Sequence, residues 1–285
     1  MRLAWDKTGE RRYETGVSKG VLYVQSNVGT YPTGIAWNGL TAVTESPSGA
    51  ESNKQYADNQ VYVNLLSAEE FGGTIEAFTY PDEFEQCDGT AEVVPGVKIG
   101  QQTRKPFGFC YETLIGTDTE GTDAGKKIHI VWNALAAPSE KAYTTVNDSP
   151  EAMTLSWEIS TTPTAIAGYK PVATMTIDST KISAGKLQKI EDALYGTDDE
   201  VAHLPLPDEI VALLAGDDEI TPQAPTQSGN TLTIPNQPGV IYSIDGTPVT
   251  GTYTLTDDET VTATADDGYT FPGGATTSWP FTYTP

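Results

Sequence analysis

Short stretches in which apolar and polar residues alternate restrict the fold of this chain more than any other feature. The C-terminal part alone contains six of them, at 232–234, 240–244, 253–255, 261–265, 269–271 and 279–283. Successive side chains of a β-strand point to opposite faces, so a period of two is typical of half-buried strands. Asp245 and Gly246 predict a type I′ hairpin turn, which needs positive φ at both central residues. Together these patterns predict two small sheets packed face to face.

The same region differs in composition from the rest of the chain, which predicts a separate domain. Residues 222–285 contain no Lys, Arg or His but 16 Thr, and an acidic, proline-containing stretch at 216–225 leads into them. Stretches of this kind commonly join domains. We therefore predict one domain over 1–219 and a second over 220–285. The second is predicted to be an immunoglobulin-like β-sandwich, because its strands follow one another about every ten residues.

The first 216 residues are also predicted to be mainly β. The best strand candidates are 17–25, 61–66, 74–80, 107–115, 127–132, 154–159 and 173–177. A helix that packs on a sheet is predicted after Ser183, a good N-cap, and before Gly196, a good C-terminal residue. Its apolar stripe consists of Leu187, Ile190 and Leu194. A second, shorter helix is predicted over 207–214, which begins with proline.

Charge and the N-terminal sequence restrict the class of protein. The 285 residues include 39 acidic and 16 basic side chains, which gives a formal net charge of −23. Such a charge disfavours binding to the phosphate backbone of nucleic acids. The N-terminus lacks the apolar run of a signal peptide, and no stretch is apolar enough for a membrane span, so we expect a protein made in the cytoplasm without a membrane partner.

No pattern in the sequence points to catalysis or to a bound metal. His129 and His203 are far apart, and Cys87 and Cys110 form no CxxC motif, so two free thiols are expected. The glycine-rich stretch at 121–127 lacks the hydroxyl residue that follows the lysine of a phosphate loop. Acidic clusters at 82–88, 198–200 and 257–259 are interpreted as solvated loops. We therefore predict that the chain is not an enzyme and has no catalytic residue, metal or cofactor.

A hairpin with an acidic tip is predicted over 107–132. Alternating residues flank a ten-residue segment at 116–125, which contains Asp118, Glu120 and Asp123. Long loops are frequently functional, so the tip is interpreted either as a docking loop or as a solvated turn.

Several spaced segments within the first 215 residues resemble one protein family. They are, in chain order, 34–40 (GIAWNGL), 45–51 (ESPSGAE), 71–84 (FGGTIEAFTYPDEF), 108–116, 129–137, 168–171 (GYKP) and 204–210 (LPLPDEI). The segments and their order are similar to those of the major tail proteins, the tail tube subunits, of long-tailed bacteriophages of Gram-positive hosts. The C-terminal domain resembles, by composition, the immunoglobulin-like decorations of phage tail and capsid proteins.

The resemblance implies a tube domain built as a β-sandwich or partly closed barrel with one flanking α-helix. It also implies six-membered rings that stack into the non-contractile tail of a virion. The implied partners are other copies of the chain and the tape-measure, tail terminator and baseplate proteins. DNA would pass through the lumen without specific binding.

Stacked rings repeat a head-to-tail contact, so each subunit needs protruding segments that complement its neighbour. The polar segments 45–60 and 116–125 are the candidates for such contacts. The residues predicted to make them are Glu45, Ser46, Pro47, Glu51, Lys54, Asp118, Glu120, Asp123 and Lys126.

An acidic channel wall would repel DNA and keep it mobile. Glu76 and Glu112 are the acidic residues predicted to face the lumen; alternatively, the acidic residues lie outside and keep the protein soluble. Two other functions stay open from the sequence. One is a carbohydrate-binding adhesin, which would make weak contacts with host glycans through exposed aromatic residues of the C-terminal domain, strengthened by many copies. The other is a tail-associated hydrolase with paired carboxylates.

Overall fold

The computed structural model describes residues 5–146, 148–149, 151–266 and 268–284. The chain divides into two units. The first consists of the residues up to Thr180 together with Lys189–Leu213, and the second consists of Lys181–Gln188 together with the residues from Leu214 onward. The predicted border at residue 220 falls within the second unit. The independence of domains 1–219 and 220–285 stays a prediction.

The first unit consists mainly of β-strands. Its strands are β1 (Arg12–Val24), β2 (Gly34–Trp37), β3 (Leu40–Glu45), β4 (Ser48–Gly49), β5 (Ser52–Ala57), β6 (Gln60–Leu66), β7 (Glu69–Glu70), β8 (Gly72–Ala77), β9 (Ala91–Val94), β10 (Val97–Ile99), β11 (Phe107–Thr117), β12 (Gly121–Ala136), β13 (Leu155–Thr161) and β14 (Thr174–Asp178). A 3-10 turn, Asp82–Gln86, lies between β8 and β9.

Eight of these strands form one antiparallel sheet that curls on itself. The order is β2-β1-β11-β12-β13-β8-β3, and β14 pairs with β12. Strands β2 and β3 are at opposite ends of this order, yet only Asn38 and Gly39 separate them in the chain. A two-residue connection can join them only if the two ends of the sheet approach each other. The sheet is therefore a partly closed barrel, which twist and strand tilt make possible.

Aromatic side chains fill the interior of this barrel. Trp37, Phe84, Phe107, Phe109 and Trp157 are all buried. Neighbouring rings in this group lie 4.6–5.6 Å apart between centroids, mostly edge to face. Such pairs contribute about 0.5–1.5 kcal/mol each beyond the burial of their area. A mainly-β fold around one apolar core is thus confirmed for this unit.

Helix α1 (Ala184–Tyr195) begins and ends where the sequence predicts. The Ser183 hydroxyl accepts a hydrogen bond from the Lys186 amide at 3.3 Å, and Gly196 has a φ of 78°. In the first unit, Tyr23 of β1 donates a hydrogen bond to the Leu194 carbonyl at 2.6 Å. Because the neighbour of Tyr23, Leu22, points into the barrel core, the part of α1 that belongs to the first unit, 189–195, covers the opposite face of the sheet. Helix α2 (Pro207–Leu214) also coincides with its prediction.

The second unit contains two small sheets that share one core. Its strands are β15 (Asp218–Glu219), β16 (Thr226–Ser228), β17 (Thr231–Ile234), β18 (Val240–Ile244), β19 (Thr247–Pro248), β20 (Gly251–Thr254), β21 (Glu259–Ala265), β22 (Tyr269–Thr270) and β23 (Ser278–Phe281). Sheets β16-β17-β20 and β19-β18-β21-β23 pack their apolar residues together. Asp245 and Gly246 have φ values of 48° and 77°, so the hairpin turn is confirmed. The immunoglobulin-like assignment stays a prediction.

The predicted ten-residue loop at 116–125 is wrong. Strand β11 continues to Thr117 and β12 begins at Gly121, so the connection has only three residues. Thr117 still pairs with Gly121 at the end of the ladder. Polar residues can continue a strand where a neighbouring strand pairs with their backbone N–H and C=O groups. The polar composition of this segment therefore did not reveal that the two strands extend into it.

Candidate assembly surface

A long hairpin, here called the arm, protrudes from the barrel and comprises residues 46–71. At its base β3 pairs with β8, and the last pair of this ladder is Glu45 with Gly73. The pairing continues outward through β4 with β7 and through β5 with β6. At about 3.3 Å per residue, the arm has a length of up to roughly 40 Å.

Residues with positive φ shape the arm at two places, its tip and its base. Asp58 and Asn59 at its tip have φ values of 49° and 62°, which fits a two-residue type I′ turn. Nearer the base, Gly49 has a φ of 84°, and a Cβ atom there would lie 2.2 Å from the Ala68 carbonyl oxygen. A side chain at this position would therefore clash with the opposite strand, so the arm requires glycine here.

Both faces of the arm expose apolar side chains. Leu65 and Leu66 are successive residues of β6 and so point to opposite faces, and they are 54% and 69% exposed. Tyr56, Val61 and Tyr62 are exposed near the tip. An isolated two-stranded hairpin is at best marginally stable in water, and a large exposed apolar surface commonly marks a contact site. The arm is therefore a candidate surface for contact with another protein chain.

A second, shorter hairpin presents further apolar residues. Strands β9 and β10 are joined by Pro95 and Gly96, which has a φ of 83°, as a type II turn requires. Its exposed apolar residues are Val93, Val94, Val97 and Ile99. Lys98 of this hairpin forms an ion pair with Glu85 of the 3-10 turn, and this hydrogen-bonded contact raises the pKa of Lys98. The ion pair ties the hairpin to the barrel.

Five of the predicted contact residues lie on the arm or at its root. Glu45 is the last residue of β3, and the Ser46 amide donates a hydrogen bond to the Gly72 carbonyl at 2.8 Å. Pro47, Glu51 and Lys54 follow along the outgoing strand and are exposed. Contact between these residues and a neighbouring subunit stays a prediction.

Three other predicted residues lie on the β11–β12 hairpin. Asp118 accepts a hydrogen bond from the Gly9 amide at 2.9 Å and lies 4.0 Å from Arg11, so it is engaged within its own chain. Glu120 and Asp123 are exposed. Because the turn is so short, this hairpin does not form the long docking loop that the sequence suggested.

Glu112 and Lys126 belong to a buried ion-pair network. The Glu112 side chain is 3% exposed, and its carboxylate accepts hydrogen bonds from Tyr195 at 2.8 Å, Lys126 at 3.2 Å and Lys19 at 3.4 Å. Lys126 also pairs with Glu191 of α1. Burial raises the pKa of Tyr195, so its hydroxyl remains a hydrogen-bond donor. Glu112 therefore lies on the helix-covered face of the sheet and not on an exposed acidic wall, and Lys126 is not part of a protruding loop.

Glu76, the other acidic residue predicted to face the lumen, is half-buried on the outer face of β8. Ile75 and Ala77 on either side are buried in the barrel core, so the Glu76 side chain points away from it. On the adjacent strand β13, Ser156 lies opposite Glu76, and Glu158 is exposed. The outer face of β8 and β13 thus carries two acidic residues.

The arm extends beyond the segment 45–60 that the sequence predicts to protrude. The sequence predicts a protruding segment that ends at residue 60 and predicts 61–66 only as a strand, which is β6 of the structure and the returning strand of the arm. The described residues of this chain leave the run VYVNLL exposed. The missing alternation, combined with polar flanks, is the signal that could have indicated an apolar strand outside the core of the domain.

The described residues hold neither a membrane-spanning helix nor a cluster of metal-binding side chains. Neither helix within residues 5–146, 148–149, 151–266 and 268–284 is long and apolar enough to cross a membrane. The same residues contain no group of three His, Cys, Asp or Glu side chains placed to hold a metal ion. Cys87 and Cys110 are both buried and free.

Among known proteins, the chain has remote structural likenesses but no match by sequence. No protein-family model matches the chain, and no curated protein matches it. A solved structure that aligns with it is the cryo-EM structure of an extracellular contractile injection system, a PVC sheath–tube complex in the extended state. The alignment covers 56% of this chain and 88% of that chain, with 13% identity and a TM-score of 0.26. A likeness at this level carries no argument about function, which must come from the residues of this chain.

Proposed function

We propose that this chain is a self-assembling tail tube subunit. Its copies form six-membered rings, and the rings stack into the tail of a virion and enclose the path of DNA. The observation that carries the proposal is the arm, a protruding hairpin with exposed apolar side chains on both of its faces. The similarity of the segments between 34 and 210 to the major tail proteins of long-tailed phages gives independent support.

The arm fits the contact that a stack of rings requires. A head-to-tail interface pairs two different surfaces, so a projection on one subunit meets a different surface on the next. Burying one large apolar side chain contributes about 1.5–3 kcal/mol, so the six exposed ones of the arm together supply on the order of 10 kcal/mol before the cost of association. They are Tyr56, Val61, Tyr62, Val63, Leu65 and Leu66. An arm of this composition can therefore hold a subunit in a polymer.

Further parts of the proposal concern the lumen and the partners. The acidic outer face of β8 and β13 would line the channel and repel DNA, so that the genome slides without binding. The ends of the tube would contact tape-measure, tail terminator and baseplate proteins, as in the family that the sequence resembles. The second unit would decorate the tube.

The adhesin alternative receives no support from the second unit. A glycan platform of the expected kind needs exposed aromatic rings. Within residues 222–266 and 268–284, the aromatic side chains are buried or half-buried, and most pack against the core of the unit.

Removal of the arm tests the proposal. Residues 46–72 are replaced by Asn-Gly, because Glu45 and Gly73 are directly paired and a two-residue turn can connect them. The variant should fold and remain monomeric, whereas the unchanged chain should form tubes visible by negative-stain electron microscopy. Circular dichroism and denaturant unfolding verify the fold of the variant.

Truncation after Glu219 provides the matched control, since it removes a larger part of the chain and leaves the arm in place. This truncated chain should still form tubes. Tubes from the arm-deleted variant, or an unchanged chain that stays monomeric at every concentration, would contradict the proposed function.

A further inference from the structure

The surface of the first unit beside β1 contains an open groove, here called the β1 groove. It is lined by residues 17–21 of β1, by β2 and its connection to β3, and by the end of α1, and its volume is about 560 Å³. Val21 and Leu194 on its wall are buried, so the floor is apolar. Short side chains, Ala36 and Ala202 among them, leave the groove open. It is large enough to hold a side chain of a partner.

A bulge in β1 places a lysine at the rim of the β1 groove. The register between β1 and β11 shifts on both sides of Ser18, and Lys19 has a φ of 50°. Positive φ is uncommon for a residue with a side chain, and bulges redirect the side chains that they carry. The Lys19 ammonium lies 5.2 Å from the centroid of the Tyr195 ring, and the Lys19 side chain is 54% exposed. The backbone of β1 thus holds a positive charge beside the apolar floor.

The charge of the β1 groove differs from that of the chain as a whole. Lys19 is the charged residue of the lining, and among the described residues no acidic side chain lines the groove. Glu112 beneath Lys19 is nearly inaccessible, since its side chain is 3% exposed. Two copies that each carry a net charge of −23 repel each other, and this repulsion is weakest where a surface lacks carboxylates. The groove is therefore a favourable place for a second copy to approach.

The tip of the arm has the complementary properties. Residues 55–62, here called the arm tip, contain one charged residue, Asp58, which lies in the turn. They also present two exposed rings, Tyr56 at 68% and Tyr62 at 79% exposure. Tyrosine combines a large apolar ring with a polar end, and it is frequently the side chain that anchors an interface in a pocket. The arm tip is thus a projection with apolar rings and one negative charge, and the groove is a recess with an apolar floor and one positive charge.

We propose that the arm tip of one copy docks in the β1 groove of the next copy. The ring of Tyr62, the more exposed of the two, lies on the apolar floor, and Asp58 lies close to Lys19. The inference deepens the proposed assembly function, on which the purpose of the contact rests, because it identifies the surface that receives the arm. Tip and groove are different surfaces of one chain, so the contact repeats head to tail from copy to copy.

Chemical cross-linking between two full-length variants tests this contact. One variant carries Gln60→Cys in the arm tip and the other carries Ser18→Cys at the rim of the β1 groove; both positions are exposed, whereas the native Cys87 and Cys110 are buried. The two variants are mixed and treated with a bifunctional maleimide. We expect a link between position 60 of one chain and position 18 of another, identified by mass spectrometry of the digested product.

A substitution that fills the groove should prevent the link. Ala36 is an exposed residue of the lining, so Ala36→Trp occupies the recess without demanding space in the core. Placed in the Ser18→Cys chain, it should lower the yield of the 60–18 link by at least about tenfold. Ala165→Trp is the matched control, because Ala165 is exposed in the same unit but does not line the groove. Circular dichroism verifies the fold of both variants.

A substitution at the arm tip tests the same contact from the other side. Tyr62→Ala, placed in the Gln60→Cys chain, should also lower the yield of the link by about tenfold, because it removes the anchoring ring. Tyr169→Ala is the matched control, since Tyr169 is likewise 79% exposed and lies outside the arm. This control should leave the yield unchanged.

The cross-link and the tubes are measured separately, so the two proposals can fail independently. An undiminished link with Ala36→Trp or with Tyr62→Ala would overturn the docking of the tip in the groove. Tubes from the unchanged chain without any 60–18 link would overturn it as well, and would leave the proposed function intact. A link that depends on Ala36 and Tyr62, in a chain that forms no tubes, would support the contact and contradict the proposed function.

Discussion

At the scale of single residues, whether a residue predicted to be exposed is in fact buried depends on which face of its strand another element covers. The sequence correctly indicates that Glu112 lies on a strand, and the period of two separates it from Tyr111 and Thr113 on the other face. The strand pattern does not reveal that α1 covers the Glu112 face, because that packing is tertiary. The hydrogen bond from Tyr195 to Glu112 joins residues 83 positions apart. The predicted hairpin over 107–132 does bring Tyr111 opposite His129, but the hydrogen bond from Tyr111 to Glu45 of the distant strand β3 could not be predicted, because it is also tertiary.

The buried position of Glu112 leads to a stability prediction. Glu112→Gln keeps the shape of the side chain but removes the charge that compensates Lys19 and Lys126. Breaking a buried ion pair from one side costs roughly 3 kcal/mol, so the free energy of unfolding should fall by about that amount. Urea unfolding measures the change.

Glu76→Gln is the control, because this half-buried residue lies on the outer face of the same sheet. Its effect should stay within about 0.5 kcal/mol. Equal effects of the two substitutions would show that the network around Glu112 does not stabilise the fold.

At the scale of elements, local signals predict structure well where they act locally. The cap at Ser183, the glycine at 196 and the turn at Asp245 and Gly246 all fix backbone geometry within a few residues. Local signals do not predict the full extent of the arm, because its two strands pair only with each other and leave their apolar side chains uncovered. Periodicity indicates that an apolar strand must be buried, but not whether its partner is the same chain.

The threonine content of the second unit also has an origin at this scale. Neighbouring strands align hydroxyl residues in register, in two rows: Thr226, Thr233 and Thr252; and Ser228, Thr231 and Thr254. β-Branched residues favour strands, and cross-strand threonine pairs stabilise a sheet whose outer face meets water. The high threonine content that distinguishes this region in the sequence therefore belongs to the outer face of its sheet.

Gly49 provides a prediction about the arm. Gly49→Ala places a methyl group against the Ala68 carbonyl oxygen at a positive φ, so it should distort the pairing of β4 with β7. The expected local cost exceeds about 1 kcal/mol. Hydrogen exchange should become faster in the arm and stay unchanged in the barrel, and the yield of tubes should fall.

Gly100→Ala is the matched control, since the site has open space and no positive φ. It should leave exchange in the arm and the yield of tubes unchanged. If Gly49→Ala also exchanged like the unchanged protein, the ladder at the base of the arm would not determine its order.

At the scale of the whole molecule, the charge of −23 has a predicted location and a predicted effect. If Glu76 and Glu158 face the channel, replacing both with Lys should attract the phosphate backbone and slow the release of DNA from assembled particles. The delay should be large at low salt and should shrink as ionic strength rises, because salt screens the attraction. Release kinetics from purified particles measure it.

Asp198→Lys together with Asp257→Lys gives the same change in net charge at exposed positions elsewhere on the chain. This control should release DNA at the normal rate. Equal rates for both double variants at low salt would mean that the acidic face of β8 and β13 lies outside the DNA path.

The two-faced arm also bears on how a polymer of this chain would start. A ribbon without a covering layer gains full order only when a second copy packs on it, and ordering each residue costs about 1–2 kcal/mol. When two free copies bind, both arms must be ordered at this entropic cost. A copy that joins an existing end packs on an arm that is already ordered. Growth would then require a seed. Without one, freshly synthesised monomers could accumulate above the concentration at which the polymer is stable and still not polymerise.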